Sequence, residues 1–386
     1  MPYPARDGST IAIKSMVNGL LENNAEVHLL ATNTLKHHKS EEAISTHKPQ
    51  DLQLFYKTVN TNITLSGVIK NLLSAEAFHV SRFKDQQLEQ ELILLLTQNQ
   101  YDVVQIEGIS MAVYFDTIKK HSNAKITLRA HNAEFQIWER HLQNEKNPLK
   151  KWYLSLQNKR LKNFELNICR KVNAIISITE EDKETFKQHE VQTPIFTLPC
   201  GMDAPLPVNV EKSADITYLA SFDWMPNQQG LTWFLQEVYP ILCAKKSDIK
   251  IKIGGKAQPN SWIEKYPNIT FLDWVDDASE FMMSGKVAMV PLLAGSGMRI
   301  KILDNMALGM PMVSTKIGAE GVLLQNRKSI LLADSPADFA KCILELLDNE
   351  ALRQQIGSNA LQALKDHYQN KTLGANLLNF YRTLSA

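Results

Sequence analysis

The sequence predicts an α/β protein made of two doubly wound domains in tandem, each built on a parallel sheet. Three observations point there. Short, continuous apolar or β-branched runs recur along the whole chain, as strands buried on both faces require. Helical patterns separate these runs, which is the alternation that parallel sheets and their crossovers produce. A stretch rich in Pro and Gly and without periodicity, Pro199–Pro207, breaks the alternation once and is followed by a fresh strand.

The elements follow in order. In the first half the strand candidates are Val27–Ala31, Leu52–Tyr56, Val103–Ile106, Ile126–Ala130, Ala174–Ile178 and Ile195–Leu198. In the second half they are Ile216–Ala220, Ile249–Ile253, Ile269–Leu272, Val287–Pro291, Met312–Ser314 and Ile330–Ala333. Ile13, Val17, Leu20 and Leu21 give the first helix its apolar face. The tail from Ala351 is helical by pattern, with Leu361, Leu364, Leu373, Leu377 and Phe380 on one side. The expected division is 1–204, 205–365 and a last helix, 366–386, that returns to pack on the first domain. Two such domains would leave a cleft at the carboxyl ends of both sheets, the usual ligand site of this architecture.

Composition removes several classes of function. The chain has 386 residues, long enough for two or three domains of about 150. Lys plus Arg is 42 and Asp plus Glu is 41, a net charge of +1 that excludes a general nucleic-acid binder. Apolar residues at 44% and charged residues at 22% exclude long-range disorder. No apolar stretch reaches the ~18 residues of a spanning helix, and Met1–Thr10 lacks an apolar signal core. Cys169, Cys200, Cys243 and Cys342 are scattered, which disfavours a disulfide framework or zinc site and fits a reducing, cytoplasmic setting.

The most informative segment is Pro291–Thr315. A strand ends at Pro291, the loop Ala294-Gly295-Ser296-Gly297 follows, and a helix is expected from about Met298 to Leu308. Gly309 stops it and Pro311 opens the next strand. The glycines admit backbone N–H groups to a ligand. The helix start supplies partial positive charge, and Arg299 and Lys301 add full charges. Physically this is a diphosphate cradle; an ordinary strand–loop–helix turn with a solvated Arg and Lys fits the same spacing.

That segment resembles the donor-binding motif of retaining, Leloir-type glycosyltransferases of family 4, which have the GT-B fold of two Rossmann-like domains. Their motif carries two glutamates, the second inside an E-A-M-A-x-G-x-P-V run. Here the second position is Asp304, in Asp304-Asn305-Met306-Ala307-Leu308-Gly309-Met310-Pro311, and Ser296 stands where the first would be. Arg299 and Lys301 belong to the G-S-G-T-R-I-K-I-L-E version of the motif. Further stretches agree in order. Leu219–Asn227 is similar to the strand–loop that opens the second domain, and Ile253-Gly254-Gly255-Lys256 to an I-x-G-x-G strand end. Phe271–Asp277 is similar to an L-G-W-V-x-D loop beside the nucleotide base. Pro2–Ser9 resembles the P-Y-P-P-x-x-G-G loop before the first helix, and Arg129–Glu134 an R-x-H-N-x-E stretch. The resemblance is strong over 216–321 and reaches nearly the whole chain.

The resemblance implies transfer of a hexose-type sugar from a nucleotide diphosphate donor to a glycan, lipid-linked or small-molecule acceptor, with retention and without a metal or other cofactor. Negative charge grows on the leaving phosphate, so fixed donors there are the useful device. Gly295, Gly297, Arg299 and Lys301 are assigned to it. Asp304 is the candidate for the ribose hydroxyls, or else a surface carboxylate pairing with Lys301. Ser296 bonds a sugar hydroxyl or caps the helix. Trp274 and Val275 are placed beside the base. His131, at a strand end, is the candidate contact to donor sugar or leaving group; a hydrogen-bonded loop residue is the bland alternative. Glu107, ending another strand, is an acceptor-side or nucleophile candidate. Asp7, Gly8 and Ser9 form an acceptor or phosphate loop, or a plain turn. Asn132, Glu134, Asp223, Asn227 and Lys256 complete the set.

Two rival functions stay open at the level of sequence: a non-catalytic nucleotide-sugar-binding relative and an epimerase of the same fold. The basic segment 149–170 interleaves Lys150, Lys151, Lys159, Arg160, Lys162 and Arg170 with Trp152, Tyr153, Leu156, Leu161 and Phe164. It suits peripheral contact with an anionic membrane, and equally a core helix with a solvated face. In this family the Pro2–Ser9 loop follows a central strand, so a strand upstream of Met1, or another segment in its place, is expected.

Overall fold

The computed structural model describes residues 1–5, 7–205, 210–256, 266–295 and 298–385. The chain divides into two compact units, Met1–Gly201 with Asn370–Ala386, and Met202–Gln369.

In the first unit β1 (His28–Thr34) pairs with β2 (Gln53–Val59). A second ladder runs β3 (Val103–Glu107), β4 (Lys125–Ala130), β5 (Ala174–Ser177) and β6 (Ile195–Thr197), all parallel. Every residue of β5, Ala-Ile-Ile-Ser, is buried, as a strand covered on both faces must be. Side chains alternate across a strand, so Gln105 and Glu107 share a face with their register partners Thr127 and Arg129. Ile106, Ile126 and Leu128 point the other way into the larger core. Among the described residues no ladder joins β1–β2 to β3–β6. The expected strand ahead of Pro2 has no counterpart in these ladders, and the Met1 amino group bonds the Thr32 carbonyl of β1 at 2.7 Å.

The first helix, Gly8–Glu22, starts at Asp7, whose carboxylate accepts from the Thr10 amide at 2.9 Å. The terminal helix, Asn370–Ser385, packs against it, with Leu373 and Leu377 meeting Leu20, Ile176 and Leu198. Phe380 stacks on Phe196 of β6, ring centroids 4.7 Å apart. Met16 of the first helix and Tyr381 of the terminal helix both reach Gln105 of β3.

The second unit holds one parallel sheet: β7 (Ala214–Leu219), β8 (Ile251–Gly254), β9 (Ile269–Leu272), β10 (Gly285–Val290), β11 (Met312–Ser314) and β12 (Leu331–Leu332). The spatial order is β12-β11-β10-β7-β8-β9. It reverses direction between β7 and β10. This is the order of dinucleotide-binding α/β sheets, whose ligands lie at the carboxyl ends of the strands beside the reversal. Ile216, Ile253, Val287, Val313, Phe234 and Phe339 are in its core. The protein is thus α/β with two doubly wound, parallel-sheet units. The four cysteines are free thiols. Among the described residues no helix is long and apolar enough to cross a membrane.

Candidate active site

In the second unit the predicted donor residues gather at the β7/β10 reversal. The loop after β7 leads into a helix, Met225–Trp233, that carries Asn227 in its first turn. Asn227 is buried, and its amide nitrogen donates to the Ser221 carbonyl at 2.7 Å. That orientation aims Oδ1 at Lys301, whose Nζ donates to it at 2.6 Å. Nζ also lies 3.4 Å from the Tyr218 hydroxyl and 5.0 Å from the centre of that ring. Burial pushes Lys301 down to about 7, the like charge of Arg299 adds to this, and Asp304 opposes it. Asp304, one helical turn on, is raised by burial to about 6 against the pull of Lys301.

The helix after β10 spans Ile300–Ala307, two residues shorter at its start than the sequence suggests. Arg299 is therefore the N-cap rather than a residue of the first turn. Its side chain is 4% exposed and approaches Glu320 Oε2 at 3.8 Å. Arg299 is buried and Lys301 half-buried, where the bland reading of this turn has both solvated. Gly295 has a φ of +137°, and a Cβ there would sit 2.8 Å from Arg299 Nη2 and 3.1 Å from the Trp224 ring. Only glycine lets the guanidinium lie against this loop. Gly255, at φ +131°, serves the neighbouring strand ends in the same way: a Cβ would fall 1.7 Å from the Ala220 carbonyl oxygen.

The other residues predicted for this unit are more peripheral. Trp274 is 76% exposed and donates from Nε1 to Asp276 at 3.0 Å. Val275 packs over Gly254 at the end of β8. Asp223 and Lys256 form an exposed ion pair across the loops after β7 and β8. Ser296 and Gly297 lie outside the described residues.

In the first unit a second group assembles where β3 and β4 end. His131 follows β4; its Nε2 lies 2.8 Å from Glu107 Oε2, and its Nδ1 lies 2.8 Å from Ser9 Oγ. Glu107 is thus tied to His131 rather than open as a nucleophile. Burial acts to raise its pKa. The bond to His131, the charges of His131 and Arg129, and a bond from Gln105 more than offset this and hold it below the usual carboxylate range. Asp7 is engaged as the helix cap and Gly8 meets open space, so plain turn chemistry accounts for both. Asn132 is half-buried on the same loop. Glu134 Oε1 lies 3.6 Å from His79 Nε2, and burial raises its pKa.

Residues that sequence reasoning missed hold this loop in place. Glu165 accepts from the amides of Glu134 and Phe135, each at 3.0 Å, and Asp182 accepts from Ala133 at 2.8 Å. Together they satisfy the N-terminal donors of the helix Glu134–Asn144 from neighbouring helices. Glu165 is 1% exposed, and burial raises it to about 8. A lone carboxylate on the apolar face of 149–170 was the available signal. The polar alternation Gln105, Glu107 within an apolar strand was a second.

Residues 213–349 match the family model described as glycosyl transferases group 1. An uncharacterized 44.6 kDa protein in the cps region of Klebsiella pneumoniae is 24% identical over 97% of this chain and 96% of its own. Among solved structures, sucrose-phosphate synthase from Thermosynechococcus elongatus superposes with a TM-score of 0.68, covering 99% of this chain and 96% of that one at 13% identity. HepE of Anabaena in complex with UDP-glucose superposes at 0.65, covering 98% and 97% at 12% identity. The protein is a glycosyltransferase with the GT-B fold, and its residues 213–349 are a glycosyl transferases group 1 domain.

Proposed function

We propose that the protein moves a hexose-type sugar from a nucleoside diphosphate donor to a glycan, lipid-linked or small-molecule acceptor, with retention and without a metal. The observation that carries this is the pair of cations, Arg299 buried and Lys301 half-buried, at the start of the helix Ile300–Ala307, beside the strand-order reversal. Two cations and a helix start in one place suit a diphosphate that gains charge as its bond to the sugar breaks. They do the electrostatic work that a divalent ion does in other transferases. The structural relative HepE holds UDP-glucose, which supports a uridine diphosphate sugar as the first donor to try. In this reading Asp304 takes the ribose hydroxyls, Trp274 and Val275 border the base, and His131 meets the sugar. Retention follows from the family resemblance alone and is read from the anomeric configuration of the product.

The decisive experiment is a screen of nucleotide sugars with purified protein, followed by mass spectrometry of nucleoside diphosphate release. Turnover of a nucleotide hexose supports the proposal. Binding of UDP without turnover of any donor in the presence of glycan and lipid acceptors sinks it.

The acceptor side is proposed to include an anionic membrane surface. Leu149 and Trp152, at 79% and 62% exposure, stand beside Lys150 and Lys151 at the start of the helix Pro148–Lys171. Co-sedimentation with phosphatidylglycerol vesicles, lost in Trp152→Ser with Leu149→Ser, tests this contact.

A further inference from the structure

We propose that Tyr381, Gln105 and Glu107 are positioning residues that fix one tautomer of His131, leaving its Nδ1 as the proton-accepting atom on the side of Ser9. The inference rests on the reading of His131 as a site residue and adds which of its nitrogens works and what orders it.

The chain of bonds has a single consistent direction. The Tyr381 hydroxyl, on the terminal helix, donates to Gln105 Oε1. Burial and the charge of Glu107 push the Tyr381 pKa up, so it stays a donor. With its oxygen so engaged, Gln105 turns its amide nitrogen to Glu107 Oε1. The opposite amide orientation would set Oε1 against a carboxylate oxygen, two acceptors face to face. Glu107, ionised beside the fully buried Arg129, offers only lone pairs. Its Oε2 can meet His131 Nε2 at 2.8 Å only if that nitrogen carries the proton. A neutral His131 then has a bare Nδ1, and the Ser9 hydroxyl donates to it at 2.8 Å.

The two ends of this chain differ in character. Gln105 and Glu107 of β3 and Tyr381 of the terminal helix are half-buried, whereas Ser9 is exposed on the first turn of Gly8–Glu22. The Ser9 bond is therefore the exchangeable one, and a substrate hydroxyl can take its place at Nδ1. As the oxygen of that hydroxyl bonds to the sugar carbon and the bond from that carbon to the diphosphate breaks, its proton passes to Nδ1. The imidazolium keeps its Nε2–H on the Glu107 carboxylate, so the charge formed is met by one already present, and it returns the Nδ1 proton to water afterwards.

The test needs no known acceptor. Protein labelled with ¹⁵N at histidine is studied by long-range ¹H–¹⁵N correlation at a pH where the ring is neutral, with His131→Gln used to assign the signals. The expected pattern is a fixed Nε2–H form in the wild type. Glu107→Gln is expected to give an averaged or Nδ1–H form, and Tyr381→Phe partial averaging. Ser9→Ala is expected to leave the tautomer fixed. A wild-type Nδ1–H form, or an unchanged pattern in Glu107→Gln, overturns the proposal, and an unchanged pattern in Tyr381→Phe removes Tyr381 from it. With a donor in hand, Glu107→Gln should lower turnover by about tenfold or more while UDP affinity stays the same. If His131→Ala keeps full turnover while the tautomer is fixed, the role of His131 in transfer fails and the ordering of its ring stands.

Discussion

Gly19 and Gly374 meet backbone to backbone where the first and terminal helices cross. A Cβ on Gly374 would fall 2.1 Å from the Gly19 carbonyl oxygen, and one on Gly19 would fall 2.3 Å from that of Asn370. Neither neighbour is a flexible side chain, so relief requires the helices to separate. The contact is fastened by Ser15, which donates to Asn370 Oδ1 at 2.6 Å and accepts from the Gly201 amide at 2.8 Å. Gly374→Ala should destabilise the first unit by about 1–3 kcal/mol or more, seen as a lower urea midpoint. An unchanged midpoint would show that the helices part without cost.

Arg299 and Lys301 make a prediction about affinity. Arg299→Ala and Lys301→Met should each weaken UDP binding by about 1.5–3 kcal/mol. Titration calorimetry that finds both variants unaltered removes them from the donor site.

Lys301 also couples binding to pH. Its pKa of about 7 leaves it largely neutral above that pH in the free protein. A diphosphate favours the charged form, so the complex has the higher pKa and takes up a proton in the window between the two values. UDP affinity should then fall as pH rises above 7, by at most about tenfold per unit. Calorimetry in buffers of different ionisation enthalpy measures the uptake directly, and zero uptake at pH 8 contradicts the assignment.

His131→Ala should reduce turnover by about a hundredfold with little change in UDP affinity, because the residues assigned to the diphosphate, Arg299 and Lys301, belong to the other unit. Near-normal kcat would return His131 to the role of a loop residue.

Glu165 should leave a signature in stability. Its folded pKa of about 8 lies above the ordinary 4.5, so between these values the folded state binds more protons than the unfolded one. Stability from this group is full at low pH and is lost as pH rises towards 8. Glu165→Gln sets an NH₂ against a backbone amide and should cost about 1–3 kcal/mol. The gap in Tm between wild type and variant should narrow from pH 5 to pH 8; a constant gap would refute the titration.

Sugar transfer should persist in excess EDTA, since Arg299 and Lys301 are assigned the charge that a metal would otherwise supply. A strict need for magnesium or manganese would contradict the metal-free reading.

Much of the fold was legible because parallel strands buried on both faces leave continuous apolar runs. Each of the runs from Val27–Ala31 to Ile330–Ala333 became a strand, with ends displaced by a few residues. The helix start at Ile300 was misjudged because the glycines before it permit several conformations. Arg299 and Lys301 were found from their charge, but their burial was invisible, since it depends on Asn227, Tyr218 and Gly295 arriving from elsewhere in the chain. His131, Glu107 and Ser9 were named separately, and only tertiary structure joins them. Glu165 and Asp182 escaped notice because capping from a distant helix has no local sequence signature.

The first unit is built from both sides of the second: Met1–Gly201 precedes it and Asn370–Ala386 follows. Within the second unit the Met202 amide bonds the Tyr368 carbonyl at 2.8 Å, so that unit leaves and rejoins the chain at almost one point. On the ribosome the order of completion is therefore inverted. Chains emerge at about 5–20 residues per second, and residues 202–369 are all available before the terminal helix exists. The second unit can finish folding while the first still lacks Leu373, Leu377 and Tyr381. The unit that is started first is closed last, and the Tyr381 end of the bonds to His131 forms only after residues 202–369 have been made.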